Sequence, residues 1–188
     1  MSNERRVIVD FSHPKGASFN DQVPKDHYLD ISYKMTLPTP NDVCEDIIEA
    51  GMGAYMSVCD LSAAYRNLRC DPGDWPRLGQ QHHGLYVWDM SLSFGSRRSA
   101  QCQCQTMEAV IFILETMGVK AKCYIDDFFS CNSTWEEAIV DHFIMLMVFK
   151  KLGLATADHK TVPPAQIVTY LGVQFDSQRM TFKIEPGK

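Results

Sequence analysis

One segment near the middle of the chain, residues 122–131, limits the fold more than any other. It places two adjacent carboxylates, Asp126 and Asp127, between two short apolar runs. Apolar runs that flank a polar pair are typical of strand, tight turn and strand, so we predict a β-hairpin with both carboxylates at its exposed tip. Ionising two neighbouring carboxylates is costly without a nearby cation. The pair therefore indicates either a solvated turn or, with partners elsewhere in the chain, a site for Mg²⁺, which prefers carboxylate oxygen.

The length and charge of the chain narrow the class of protein. Its 188 residues suffice for one sizeable core. Apolar residues make up 45% and charged residues 22%, as in ordinary globular proteins. The formal net charge of −5 argues against a broadly basic surface. Any contact with nucleic acid must therefore use local basic groups, and we expect it to be weak and salt-sensitive.

Cysteine usage and hydropathy indicate the compartment. The chain has seven cysteines and no Cys-x-x-Cys pair. We therefore expect a reduced, intracellular protein with buried thiols, and neither a disulfide scaffold nor a zinc site. The first residues lack an apolar signal core, and no apolar run is long enough to span a bilayer, so no membrane partner is expected.

Hydrophobic periodicity, caps and turn residues predict the order of the elements. The predicted elements are strand 5–11, helix 39–51, strand 54–60, short helix 61–68, strands 74–79 and 85–89, helix 99–117, the central hairpin, helix 133–152, a strand pair over 167–175 and strand 180–184. Strands interleaved with helices, with one hairpin among them, predict an α+β fold in which helices cover one face of an antiparallel sheet.

The helix over 133–152 is predicted from its start signal and its apolar spacing. Ser133 and Glu136 fit the S-x-x-E pattern of a capping box. The apolar stripe is predicted to consist of Ile139, Phe143, Leu146 and Phe149.

Several segments, in order along the chain, resemble the motifs of reverse transcriptases. Residues 58–65 (VCDLSAAY) resemble motif A, 93–100 (SFGSRRSA) motif B, 124–127 (YIDD) motif C, 152–160 (LGLATADHK) motif D and 170–173 (YLGV) the primer-grip hairpin of motif E. Upstream, residues 6–12 resemble the fingers strand whose arginine contacts the incoming triphosphate. Residues 10–21 and 59–68 are most similar in wording to the polymerases of DIRS-like retrotransposons. Five ordered motifs are a far more specific signal than a lone Tyr-x-Asp-Asp.

The resemblance implies a polymerase palm with a ferredoxin-like core, plus partial fingers and no thumb. The implied division is partial fingers over 1–52, palm with motif A over 53–70, a fingers hairpin over 71–92 and palm with motifs B to E over 93–188, all within one reverse transcriptase domain. Ser93 and Ala100 stand where the family usually has proline, a departure on the template side of the pocket.

The resemblance also implies the catalytic residues. Asp60, Asp126 and Asp127 would bind Mg²⁺, or Mn²⁺ in its place, and activate the primer hydroxyl by two-metal phosphoryl transfer. Asp60 and Asp126 would bridge the ions, and Asp127 would be a third carboxylate further from them. Lys160 would be the general acid for the leaving pyrophosphate. The residues alone leave other interpretations open: Asp60 can be a helix N-cap, and Lys160 a solvated turn lysine.

The implied substrate-binding residues are Arg6, Ala64, Tyr65, Phe94 and Gly95. Arg6 would bind phosphate oxygens, and Tyr65 would act as a steric gate against the ribose 2′-hydroxyl. Phe94 and Gly95 would line the nascent base pair, because the backbone must approach closely there. A surface arginine, a half-buried core tyrosine and a simple turn glycine are the alternatives.

Two functions follow. The first is an RNA-directed DNA polymerase domain of a retroelement, with a primed RNA or DNA template and deoxynucleoside triphosphates as partners, and with thumb or flanking domains supplied by a longer chain. The second is a truncated or decayed domain of the same kind without activity, which serves at most as a nucleic-acid or protein binding module.

Overall fold

The computed structural model of the protein describes residues 8–24, 27–28, 31–32 and 34–184. The three α-helices of these residues are α1 (Pro40–Ala50), α2 (Arg97–Thr116) and α3 (Trp135–Leu152). The eleven strands are β1 (His27–Tyr28), β2 (Ile31–Ser32), β3 (Tyr55–Asp60), β4 (Gly79–His82), β5 (Leu85–Trp88), β6 (Ala121–Tyr124), β7 (Asp127–Asn132), β8 (Val162–Ala165), β9 (Ile167–Tyr170), β10 (Val173–Asp176) and β11 (Thr181–Ile184). Short 3₁₀ helices cover Asn20–Gln22, Ala64–Asn67 and Pro72–Leu78.

Tertiary contacts divide the chain into two compact units. One lies within residues 1–35 and 63–105, and the other within 36–62 and 106–188. Helix α1 thus belongs to the same unit as β3, although the sequence-based division assigned residues 1–52 to the fingers. The labels fingers and palm for these stretches stay predictions.

The second unit is built on a four-stranded antiparallel sheet. Its strand order is β6-β7-β3-β8. The chain order is strand, helix, two hairpin strands, helix, strand, which is the ferredoxin-like arrangement. The predicted α+β class with this core is therefore confirmed.

The two faces of this sheet bury different clusters, because successive side chains of a strand point to opposite faces. Cys59, Leu61 and Phe128 pack with α2 and α3 in one cluster. Val58 and Phe129 pack with α1 and with the separate sheet β11-β10-β9 in the other cluster. Strand β3 is buried along nearly its whole length, so its position between the layers is tightly determined.

Helix α3 differs from its predicted form in two details. Thr134, one residue after the predicted Ser133, is the N-cap and accepts a hydrogen bond from the Glu137 N–H. In the predicted stripe, Phe149 is fully buried but Phe143 is 63% exposed. The prediction for Phe143 was wrong because this helix is apolar on more than one side, so periodicity alone does not select the buried one.

Other predictions were corrected at the level of single elements. In the predicted strand 5–11, the described residues 8–11 are irregular, and residues 5–7 lie outside the described ranges. The predicted strand 74–79 is mostly the 3₁₀ helix Pro72–Leu78, since Pro76 interrupts it. All seven cysteines carry thiols that are buried or half-buried. Within the described part of the chain, every helix is too short or too polar to cross a lipid bilayer.

Candidate active site

Two carboxylates meet at one end of the four-stranded sheet. Strands β3 and β7 are antiparallel neighbours, and their register places Asp60 directly opposite Asp127. Directly opposed residues have Cβ atoms about 4.5–5.5 Å apart, so both side chains lie on the same face at the same level. Asp60 is buried and Asp127 half-buried. The sequence predicted that Asp60 lies beside the hairpin, and the pairing brings it there.

The adjacent residues Asp126 and Asp127 occupy different positions in the hairpin. Asp127 is the first residue of β7, whereas Asp126 lies in the two-residue turn after Tyr124. The Asp126 N–H donates to the Tyr124 carbonyl at 2.7 Å, and Ile125 between them has φ +60°. A β-branched residue rarely adopts positive φ, so this turn is strained. The Leu61 N–H donates to the Asp126 carbonyl at 2.9 Å and fixes the turn against the end of β3.

Lys160 reaches the same carboxylate through a backbone connection. The Ala157 N–H donates to the Asp60 carbonyl at 2.8 Å, and the Lys160 N–H donates to the Ala157 carbonyl at 2.8 Å. The loop after α3 is thereby held along the end of β3. Because the loop is held there, Lys160 Nζ lies 2.9 Å from Asp60 Oδ2 and forms an ion pair with it. The structure thus brings Asp60, Asp127 and Lys160 together.

The electrostatics of the site reflect this crowding of charge. Burial, a hydrogen bond with Asp60 and the negative charges of Asp60 and Asp126 raise the pKa of Asp127 to about 7, while Lys160 opposes the rise. A hydrogen bond between two carboxyl groups requires that one of them carries a proton. The pKa of Lys160 is raised, first by its hydrogen bond to Asp60, so its ammonium group is stabilised.

The donor set suits a hard cation, although it is not arranged as a finished metal cage. Among the residues that the structure describes, no three Asp, Glu, His or Cys side chains converge closely enough to form a metal-binding group. Asp60, which is buried, and Asp127, which is half-buried, nevertheless form a pair of oxygen donors whose charge a divalent cation would neutralise. The residues present therefore fit Mg²⁺, with Asp126 acting on the pair through its charge.

Tyr170 in β9 is the residue of this site that the sequence did not single out. Its hydroxyl donates to the Asp127 carbonyl at 3.0 Å. The side chain is only 2% exposed, and its ring stacks on Phe129 with centroids 5.2 Å apart. The phenol therefore holds the residue at which β7 leaves the hairpin turn. Motif resemblance placed Tyr170 in the primer grip, and only the long-range packing of β9 under the hairpin reveals this contact.

The predicted substrate-binding residues of the first unit form a separate local arrangement. Tyr65 and Phe94 have ring centroids 4.9 Å apart and meet at a tilt of 56°. Ala64 is buried at the start of the 3₁₀ helix that carries Tyr65. Gly95 has φ +96°, and a Cβ at this position would collide with the carbonyl oxygen of Val9, so a glycine is required. Arg6 lies outside the described residues.

The fold is similar to part of the fold of viral protease-reverse transcriptases. The foamy viral protease-reverse transcriptase dRH in complex with ds DNA matches with a TM-score of 0.69 at 16% identity, over 96% of this chain and 28% of that chain. The native prototype foamy virus protease-reverse transcriptase matches with a TM-score of 0.64 at 15% identity, over 97% of this chain and 21% of that chain. The foamy viral protease-reverse transcriptase in complex with RNA/DNA hybrid matches with a TM-score of 0.62 at 17% identity, over 70% of this chain and 17% of that chain.

At such identities the likeness establishes the palm-like α+β fold. The chain covers between 17% and 28% of the length of these viral proteins. No protein-family model and no curated protein sequence matches it.

The raised pKa of Asp127 predicts how the stability of the metal-free protein depends on pH. Its folded-state pKa of about 7 lies above the unfolded value of 3.8, so the folded protein binds this proton more tightly. The free energy of unfolding should therefore fall between about pH 4 and pH 7, by about 1–2 kcal/mol after allowance for solvent screening. Urea unfolding in EDTA at pH 5 and pH 8 measures this change.

The matched variants are Asp127→Asn, which should remove this part of the pH dependence, and Asp74→Asn at an exposed position, which should keep it. An equal pH dependence in wild type and Asp127→Asn would contradict the assignment.

The Tyr170 contact predicts the effect of removing one oxygen atom. Tyr170→Phe keeps the buried ring but removes the hydrogen bond to the Asp127 carbonyl, and with it a contact that holds the hairpin turn. The free energy of unfolding should fall by about 1–3 kcal/mol. Amide hydrogen exchange at Tyr124 should accelerate, whereas Tyr86→Phe, at a side chain 71% exposed, should change neither quantity. Unchanged exchange at Tyr124 in Tyr170→Phe would remove the role given to the hydroxyl.

Proposed function

We propose that the chain is an RNA-directed DNA polymerase domain of a retroelement, of the DIRS-like kind, which adds deoxynucleotides to a primer 3′ end. The observation that carries the proposal is the pairing of Asp60 with Asp127 on adjacent strands, with Lys160 on the same carboxylate. A proton-sharing carboxylate pair beside a lysine is suited to phosphoryl transfer, which needs positioning and neutralisation of charge more than covalent chemistry.

Asp60 and Asp127 would hold the metal, Mg²⁺ or Mn²⁺, with Asp126 contributing from the turn. When bound, the metal would supply activation of the attacking hydroxyl and neutralisation of charge on the leaving group. The backbone contacts of Asp126 and Tyr170 keep the donors at the level of β3, so the carboxylates need little rearrangement.

Lys160 would hold the proton for the pyrophosphate. Its raised pKa keeps it protonated at neutral pH, and its side chain is half exposed although its ammonium contacts Asp60. From this position the ammonium would donate its proton to the departing phosphate oxygen.

The residues of the first unit would recognise the nucleotide. Tyr65, packed on Phe94, would exclude a 2′-hydroxyl, and Ala64 and Gly95 would let the substrate approach the backbone. Arg6 would bind the triphosphate. The partners proposed for the chain are a primed RNA or DNA template and deoxynucleoside triphosphates, in an intracellular setting. Two of the similar viral structures are complexes with an RNA/DNA hybrid and with ds DNA, which supports this choice. A thumb supplied by a longer chain would strengthen binding of the template.

One observation favours the second candidate, a domain of this fold without activity. Lys160 already neutralises Asp60, and no three metal-binding side chains converge within the described ranges. In that case the domain would serve as a nucleic-acid or protein binding module.

Primer extension on a poly(rA)–oligo(dT) substrate with Mg²⁺ or Mn²⁺ separates the two candidates. We expect extension by the wild type, a loss of at least about a hundredfold in Asp60→Asn and Asp126→Asn, and a smaller loss in Lys160→Ala. Asp158→Asn, an exposed carboxylate two residues before Lys160, is the matched control and should retain activity. Absence of extension together with metal-independent folding would support the inactive module, and activity that survives Asp126→Asn would show a different site or a contaminant.

The steric role of Tyr65 gives a prediction of substrate choice. Tyr65→Ala should admit ribonucleotides, so that the preference for dTTP over UTP in kcat/KM falls by at least about tenfold. Tyr65→Phe keeps the ring and should keep the preference. An active Tyr65→Ala enzyme with unchanged discrimination would rule out the gate.

A further inference from the structure

Helix α3 has a second apolar face that points away from the sheet. Its buried face includes Met145 and Phe149, which are fully buried in the core. On the opposite side, Val140 is 55% exposed, Phe143 63% and Met147 45%. A helix that is apolar on both sides is typical of one that is covered on both sides, so this face indicates a contact with another surface.

The exposed residues follow the spacing of a helix–helix seam. Glu136, Val140, Phe143, Met147 and Lys150 are separated by alternating steps of four and three residues, and all five are exposed. This alternation is the a/d pattern by which two helices pack knobs into holes. The seam is therefore apolar at its centre and oppositely charged at its two ends.

The charges at the two ends make the seam complementary to itself. When two copies of α3 run antiparallel around a two-fold axis at Phe143, Glu136 of each lies opposite Lys150 of the other, and Val140 opposite Met147. At the border of the seam, Glu137 of each copy likewise lies on the side of Lys151 of the other. In the described part of the chain, none of the ion pairs involves Glu136 or Lys150, so both are available.

We propose that this face of α3 is a homodimer interface, in which a second copy of the chain packs its α3 antiparallel against the first. The parallel arrangement is disfavoured, because it would place Glu136 against Glu136 and Lys150 against Lys150. The antiparallel arrangement also opposes the two helix dipoles favourably. An interface made of one helix pair is small, so the dimer should be weak and sensitive to salt. This proposal is independent of the polymerase activity.

Sedimentation equilibrium of the purified full chain over a range of concentrations tests the proposal. We expect a reversible monomer–dimer equilibrium that weakens several-fold when the salt concentration rises from 50 to 500 mM, on the order expected for paired surface charges. Phe143→Glu places two carboxylates at the two-fold axis and should weaken the dimer at least about tenfold. Phe182→Glu, at a residue of β11 that is 62% exposed, is the matched control and should leave the dimer unchanged.

Charge variants identify the partner as a second copy in antiparallel orientation. A chain with Glu136→Lys and Glu137→Lys and a chain with Lys150→Glu and Lys151→Glu should each be monomeric alone, because like charges then face each other. Mixing the two should restore a dimer, and combining all four changes in one chain should restore the homodimer.

Three results would overturn the proposal. They are a wild type that stays monomeric at every concentration, a dimer that Phe143→Glu leaves intact, and charge variants that do not rescue each other. A wild-type monomer would leave a different protein or another segment of a longer chain as the occupant of this face. Circular dichroism of each variant verifies folding, and the charge variants test the seam even where Phe143→Glu does not fold.

Discussion

The antiparallel pairing of β3 with β7 is the contact on which the rest of the structure depends. These two strands are the centre of the four-stranded sheet, and their register sets which side chains meet on each face. A slip of one residue would turn every side chain of β3 to the other face. Val58 would then leave the cluster under α1, and Asp60 would leave the face of Asp127. Packing and chemistry are thus fixed by the same register.

Strong local signals made much of this fold predictable from the sequence. The hairpin of β6 and β7, the helix that stops before Gly118, and the strand pair β9 and β10 follow from apolar runs and glycines at the expected places. The alternation of strands and helices predicted an antiparallel sheet with helices, and the resemblance to reverse transcriptases implied its ferredoxin-like order. These features depend on residues close together in the chain, where patterns are informative.

The remaining features depend on contacts between distant residues. The sequence does not indicate that the Tyr170 hydroxyl reaches the Asp127 carbonyl, since the two residues are far apart in the chain and a tyrosine in a strand is ordinary. It also does not separate the two apolar faces of α3, because residues such as Phe143 and Phe149 are equally suited to a core. Nor does it show that Asp127, and not Asp126, stands opposite Asp60, which depends on where the turn places its two residues.

The ion pair between Lys160 and Asp60 supplies a positive charge from within the chain to the acidic residues at the end of β3. A folded chain that carries its own internal counter-ion does not rely on an external one to hold its acidic residues together. A divalent ion at the proposed site would have to compete with a tethered ammonium group, so occupancy of the acidic pair and release of the lysine side chain would be two sides of one exchange.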